Sequence, residues 1–175
     1  VADPTEEESK RVWAMLDACS ADEAPAIGIR EFFGGIMPRA ALPAVRAAIS
    51  DWEPDFVVRE SMELAGLIAA EEAGVPSAMI SIIAGGYMVQ NEDHFFAAAD
   101  QLRAHAGTSR QKGQVETVFA DFPPSLDEGQ LVLGSDPVRI APNQPVKTLA
   151  AGDERWLPRE GRPFIYVTFG TVSGR

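Results

Sequence analysis

The sequence predicts an α/β fold: a parallel sheet flanked by helices, then a linker and the first strand of a second sheet. Three observations carry this. Phe56-Val57-Val58 is a short apolar run suited to a strand buried on both faces, and Arg59-Glu60 place two charges at its carboxyl end, where a helix begins. Leu64, Leu67 and Ile68 then recur at helical spacing, with Gly74 positioned as the left-handed residue that ends that helix. Pro76 opens a second apolar run, Ala78-Met79-Ile80-Ser81-Ile82-Ile83. Strand, helix and strand in that order make two parallel strands joined by a right-handed crossover. Ligands of such sheets bind outside the carboxyl ends of the strands, and Glu60 stands at one of them.

At 175 residues the chain can build one domain with a substantial core. A formal net charge of -11 argues against a nucleic-acid partner, which needs a basic face, and against docking on an anionic membrane. The lone Cys19 excludes an internal disulfide and suits a reducing, cytoplasmic setting. No apolar run approaches the length needed for membrane insertion, and the N-terminus lacks the basic and apolar regions of a signal peptide.

Asp3-Pro4-Thr5-Glu6 reads as an N-cap, a first-turn proline and a capping-box glutamate. The helix they open carries Val12, Met15, Leu16 and Cys19 on one side and a solvated run of charges on the other. A second helical pattern, Ile29, Phe32, Phe33, Ile36, Met37 and Ala40, contains Gly34-Gly35 and Pro38, and each glycine weakens a helix by about 1 kcal/mol. A kink or break is expected there. A further helix is expected from about Leu42 to Trp52, with Pro43 in its first turn.

Ala84-Gly85-Gly86-Tyr87-Met88-Val89-Gln90 reads as a loop at the second strand's carboxyl end, placed to touch a ligand. Asn91 or Asp93 then caps a helix with Phe95, Phe96, Ala99 and Leu102 along one side, ending near Gly107. Val115–Phe119 alternates as a strand, Phe122–Asp127 is a proline-stiffened connection, and Leu131–Leu133 and Val138–Ile140 are short strand candidates. The expected organisation is a domain over 1–141, a linker over 142–162 and the opening of a second domain over 163–175.

Glu60 is the one ionisable group that this reading places at the active end of a sheet. A carboxylate there can hold the imidazolium formed when a histidine takes a proton from a substrate hydroxyl. The structural alternative is that Glu60 caps its helix or pairs with Arg59. His94 and His105 are the only histidines, and neither has a partner at metal-ligand spacing, so the chain's own residues supply no base and no metal site. Phe169-Gly170-Thr171 at a strand end can present backbone N–H groups and a hydroxyl to a phosphate, while GxGxxG and GxxxxGK[ST] are absent.

Trp52-Glu53-Pro54-Asp55-Phe56-Val57-Val58-Arg59-Glu60, Ala65-Gly66 and Ala73-Gly74-Val75-Pro76 together resemble the inner part of the acceptor-binding domain of GT-B glycosyltransferases. The likeness is greatest to the bacterial group that glycosylates macrolides, enediynes and other natural products, antibiotics among them. Phe122–Asp127, the linker and Arg162–Thr171 follow in the order that the resemblance requires. It implies two Rossmann-like domains facing across a cleft. It also implies inverting, metal-independent transfer from a UDP- or TDP-linked sugar to a hydroxyl of a small hydrophobic acceptor, with a nucleotide-sugar co-substrate and no cofactor. By the same resemblance Glu60 orients a base histidine, and Thr168, Gly170 and Thr171 face the donor diphosphate. Phe32, Phe33, Met37, Gly85, Gly86, Tyr87 and Met88 lie where relatives build the acceptor pocket.

Two pieces of that family pattern are missing here: the first strand with its Gly-His dipeptide, and the later motif with a His and Gly-Gly that holds the nucleotide. The expectation is therefore a middle portion of an enzyme, inactive by itself and able to self-associate through an uncovered sheet edge. A non-catalytic glycosyltransferase-like binding or auxiliary module is the alternative. A third reading, an unrelated doubly wound domain, puts Phe164–Thr171 in the same sheet as Phe56–Arg59.

Overall fold

The computed structural model describes residues 2–83, 85–109, 116–120 and 138–140. All belong to the first of two units into which the chain divides, Val1–Pro142 and Asn143–Arg175. The expected linker and new strand lie outside the described residues, as do the segments 122–127 and 131–133.

The first helix, α1 (Glu6–Ala18), starts two residues later than expected. Thr5 is the N-cap, and its hydroxyl accepts from the Glu8 amide while the Glu8 carboxylate accepts from the Thr5 amide. Thr5-x-x-Glu8 is the true capping box, because only this pair has the spacing that satisfies both amides. Of the expected apolar stripe only Val12 is buried; Met15 is exposed.

Of the kink or break expected at Gly34-Gly35, a break does not occur. The short α2 (Ala24–Ile27) runs into a π-helix (Gly28–Ile36), which runs into α3 (Met37–Trp52). The π-helix closes with the Met37 amide bonded to the Phe32 carbonyl, five residues back. Pro38 sits in the first turn of α3, and Pro43 lies inside the helix and not at its start. Gly34 is required by packing: a Cβ there would stand 2.2 Å from the Cβ of Ala98 on α6 (Glu92–Ala106). The helix tolerates its glycines because their lack of side chain lets α6 approach. At its far end Glu53 takes the left-handed conformation with φ 48°, its amide bonded to the Ile49 carbonyl.

Four parallel strands form the sheet among the described residues: β1 (Val57–Glu60), β2 (Ser77–Ser81), β3 (Thr117–Ala120) and β4 (Val138–Arg139), in that order. α4 (Leu64–Ala73) joins β1 to β2, and Gly74 ends it in the left-handed conformation at φ 68°, as the sequence indicates. α5 (Gly85–Gln90) and α6 join β2 to β3, so the expected Gly-rich loop is in fact a short helix. α6 ends at Gly107, also left-handed.

The expectation of a first strand buried on both faces does not hold. Phe56 precedes β1 and is 48% exposed, and Val58 is 56% exposed. β1 is the edge strand of the described sheet, so Val58 lacks a neighbour on one side. Arg59 stands in register with Met79 and Val118 on the face that meets the core. That core joins Ile29, Leu42, Ile68, Met79, Leu102 and Val118, with about 1.5–3 kcal/mol of hydrophobic stabilisation for each large side chain removed from water. No helix among the described residues is long and apolar enough to cross a membrane.

The two glycines at the ends of this packing account for opposite responses to the same substitution. Gly34→Ala is expected to destabilise by about 1–3 kcal/mol through overpacking against Ala98. Gly28→Ala meets nothing within 4 Å at φ -58°, ψ -48°, and is expected to stabilise by about 0.5–1 kcal/mol. Urea denaturation of the two variants measures both; equal responses would contradict the close approach of α6.

Candidate functional site

β1 ends at Glu60, and the chain turns through Ser61 and Met62 before Glu63 caps α4. The Glu63 carboxylate accepts from the Ala65 and Gly66 amides at 3.0 and 2.7 Å, leaving the helix start satisfied without Glu60. Glu60 Oε2 accepts from the Met62 amide at 2.8 Å, bracing the turn. Its Oε1 has no hydrogen-bond partner among the described residues. Neither structural alternative for Glu60 is realised: Glu63 is the cap, and the Arg59 guanidinium pairs with Glu116.

Beside this turn lies a cavity of about 420 Å3, lined by Ile29, Phe33, Glu60, Met62, Ile82, Ile83 and Tyr87. Its wall is apolar apart from the Glu60 carboxylate and the Tyr87 phenol. Elements from four parts of the chain build it: the π-helix supplies Ile29 and Phe33, the end of β1 and its turn supply Glu60 and Met62, the segment after β2 supplies the isoleucines, and α5 supplies Tyr87. Burial pushes the Tyr87 phenol above its ordinary 10.0. A carboxylate in such a wall can accept a proton donor or hold a cation, and the surrounding apolar surface strengthens either interaction.

Of the expected pocket residues, the structure brings Phe33 and Tyr87 to Glu60. Phe32 turns away, its ring 5.8 Å from Trp13 of α1 and 5.1 Å edge-on to Phe33. Met37 is exposed, Met88 belongs to the core cluster, and Gly85 and Gly86 open α5 outside the cavity lining. Thr168, Gly170 and Thr171 lie outside the described residues. His94 and His105 are on α6 and neither lines the cavity. No cluster able to hold a metal ion occurs among the described residues.

Sequence reading missed Ile29, Met62, Ile82 and Ile83 as lining. Met62 was detectable, since it lies two residues beyond Glu60 in the turn that follows a parallel strand. Ile82 and Ile83 looked like more of the second strand, which stops at Ser81. There the Ser81 hydroxyl donates to the Ile83 carbonyl at 2.8 Å and turns the chain.

The family model described as "Erythromycin biosynthesis protein CIII-like, N-terminal domain" matches residues 6–160. An L-demethylnoviosyl transferase of Streptomyces niveus is 61% identical over 36 residues, 21% of this chain and 10% of that protein. Among solved structures, the SsfS6 glycosyltransferase of Streptomyces sp. SF2575 aligns with TM-score 0.48 and 18% identity, covering 61% of this chain and 29% of its own. The glycosyltransferase VinC in complex with DTDP aligns with TM-score 0.43 and 20% identity, covering 69% and 36%. The chain thus matches well under half the length of each of these proteins.

The raised Tyr87 phenol gives a test of the cavity wall. Between 10.0 and the raised value the folded protein keeps a proton that the unfolded chain has lost. Its contribution to stability is therefore full below pH 10.0 and is lost as pH climbs through the folded value. With Tyr166→Phe leaving one tyrosine, the midpoint of the phenolate absorbance change should lie above pH 10.0; a midpoint at or below it would put Tyr87 in open water.

Proposed function

The chain belongs to the family of erythromycin biosynthesis protein CIII-like N-terminal domains, a glycosyltransferase family of natural-product biosynthesis, and we propose that it forms the acceptor-binding part of an inverting, metal-independent transferase. The donor is a UDP- or TDP-linked sugar, and the acceptor is a hydroxyl on a small hydrophobic molecule. The observation that carries the reading is Glu60: a carboxylate-bearing residue at the carboxyl end of a parallel strand, lining a cavity whose one other polar side chain is Tyr87. At about 420 Å3 the cavity lies within the usual range for small ligands.

In the mechanism, Ile29, Phe33, Met62, Ile82 and Ile83 take up the apolar body of the acceptor and exclude water. A histidine contributed from outside these cavity residues removes the hydroxyl proton. The acceptor oxygen then bonds to the anomeric carbon as the bond to the diphosphate oxygen breaks, and inversion follows from attack on the opposite face. The imidazole becomes imidazolium as this happens. Glu60 Oε1 holds that new charge, so its interaction is stronger in the transition state than in the ground state. Oε2, tied to the Met62 amide, keeps the carboxylate from turning. Thr168, Gly170 and Thr171 would face the donor diphosphate, which the fully charged leaving group needs.

Replacing Glu60 tests this in the whole protein that carries the chain. Glu60→Ala is expected to lower kcat by about 100-fold, with acceptor KM within about twofold, because the lost interaction forms only as charge develops. Steady-state kinetics with a hydrophobic acceptor and a nucleotide sugar measure it. An unchanged kcat would remove Glu60 from the mechanism; acceptor binding with no transfer at all, in the unaltered protein, would favour the non-catalytic module. These 175 residues by themselves are expected to give no turnover.

A further inference from the structure

The residue before Glu60 is a buried arginine with an unusual set of partners. Arg59 Nε donates to Glu116 Oε1 at 2.8 Å, and Nη2 donates to Glu116 Oε2. Ser77 Oγ donates to the same Glu116 Oε1 at 2.9 Å. The remaining nitrogen, Nη1, faces three backbone carbonyls: Glu60 at 3.0 Å, Ser61 at 3.3 Å and Glu63 at 3.4 Å. One guanidinium therefore joins Glu116, at the entry to β3 and itself bonded to Ser77 of β2, to three carbonyls of the turn that presents Glu60.

We infer that Arg59 is a positioning residue for the proposed transfer, fixing the Glu60–Glu63 turn so that the Glu60 carboxylate stays aimed into the cavity. The inference rests on the reading of Glu60 given above and adds a residue to it. Within the turn, the Glu63 amide donates to the Glu60 carbonyl at 3.2 Å and the Met62 amide donates to Glu60 Oε2. Arg59 adds a charged donor to the carbonyls of Glu60, Ser61 and Glu63, and so ties the turn to a group held outside it. Glu116 anchors the fork by two bonds, so the turn is also referenced to the entry of β3. The carboxylate one residue on inherits that reference through its own bond to the Met62 amide. Lysine cannot substitute: its single nitrogen can pair with Glu116 or bond the carbonyls, and has no fork to do both.

The test is a kinetic cycle in the whole protein. Arg59→Lys is expected to lower kcat about tenfold while leaving acceptor KM within about twofold, as a small misplacement of a catalytic group does. In a Glu60→Ala background the same substitution should cost nothing further, because the group it positions is gone. Equal losses in both backgrounds, or no loss in the unaltered one, would overturn the inference. Should Arg59→Lys fail to fold, Arg59→Met combined with Glu116→Gln removes both buried charges together and serves in its place. If Glu60→Ala alone leaves kcat unchanged, the proposed function fails and this inference with it. If Glu60→Ala is severe and the Arg59 variant is silent in kcat, only this inference fails.

Discussion

The Arg59–Glu116 pair is the contact on which the arrangement around the cavity depends. Both side chains are almost out of water, at 5% and 14% exposure. Removing one partner of such a pair leaves the other charge buried and costs about 3–5 kcal/mol. The consequence for function lies in what the pair leaves over. Glu116 neutralises Arg59 from across the sheet, so the neighbouring Glu60 is not consumed as a counter-ion. One oxygen of Glu60 is tied to its own turn, the other has no hydrogen-bond partner among the described residues, and the residue lines the cavity. An edge strand thus ends in an available negative charge beside an apolar wall.

That wall is a product of helix geometry. The run from α2 through the π-helix to α3 keeps Ile29 in the core while Phe33 reaches the cavity, and Gly34 lets α6 press close behind them. Phe32, next in line to Phe33, instead stacks toward Trp13 and fastens α1 to this surface. A π-helix of nine residues is rare, and such segments cluster at functional sites. Here its effect is to divide two adjacent phenylalanines between separate tasks, one packing α1 and one lining the cavity.

What the sequence revealed follows from the range of each interaction. The β1–α4–β2 unit was legible because its signals are local: an apolar run, a spaced stripe, and Gly74 and Gly107 where the chain must turn left-handed. The family likeness was legible from the same residues, and the match over 6–160 bears it out. Gly34 misled, since the local rule for glycine in a helix was outweighed by its contact with Ala98, 64 positions away in sequence. The exposure of Val58 depends on β1 being an edge strand, which no residue of β1 encodes. Glu116 carried no local mark at all; its role appears only when β3 is laid beside β2.

The central claim is that Glu60 holds a cationic imidazole during transfer. A crystal structure of the whole protein with acceptor bound tests it most directly. The predicted result is a histidine ring nitrogen about 2.6–3.2 Å from Glu60 Oε1, with the other ring nitrogen facing the acceptor hydroxyl. A Glu60 carboxylate turned out of the cavity, or no histidine within reach of it, would contradict the claim.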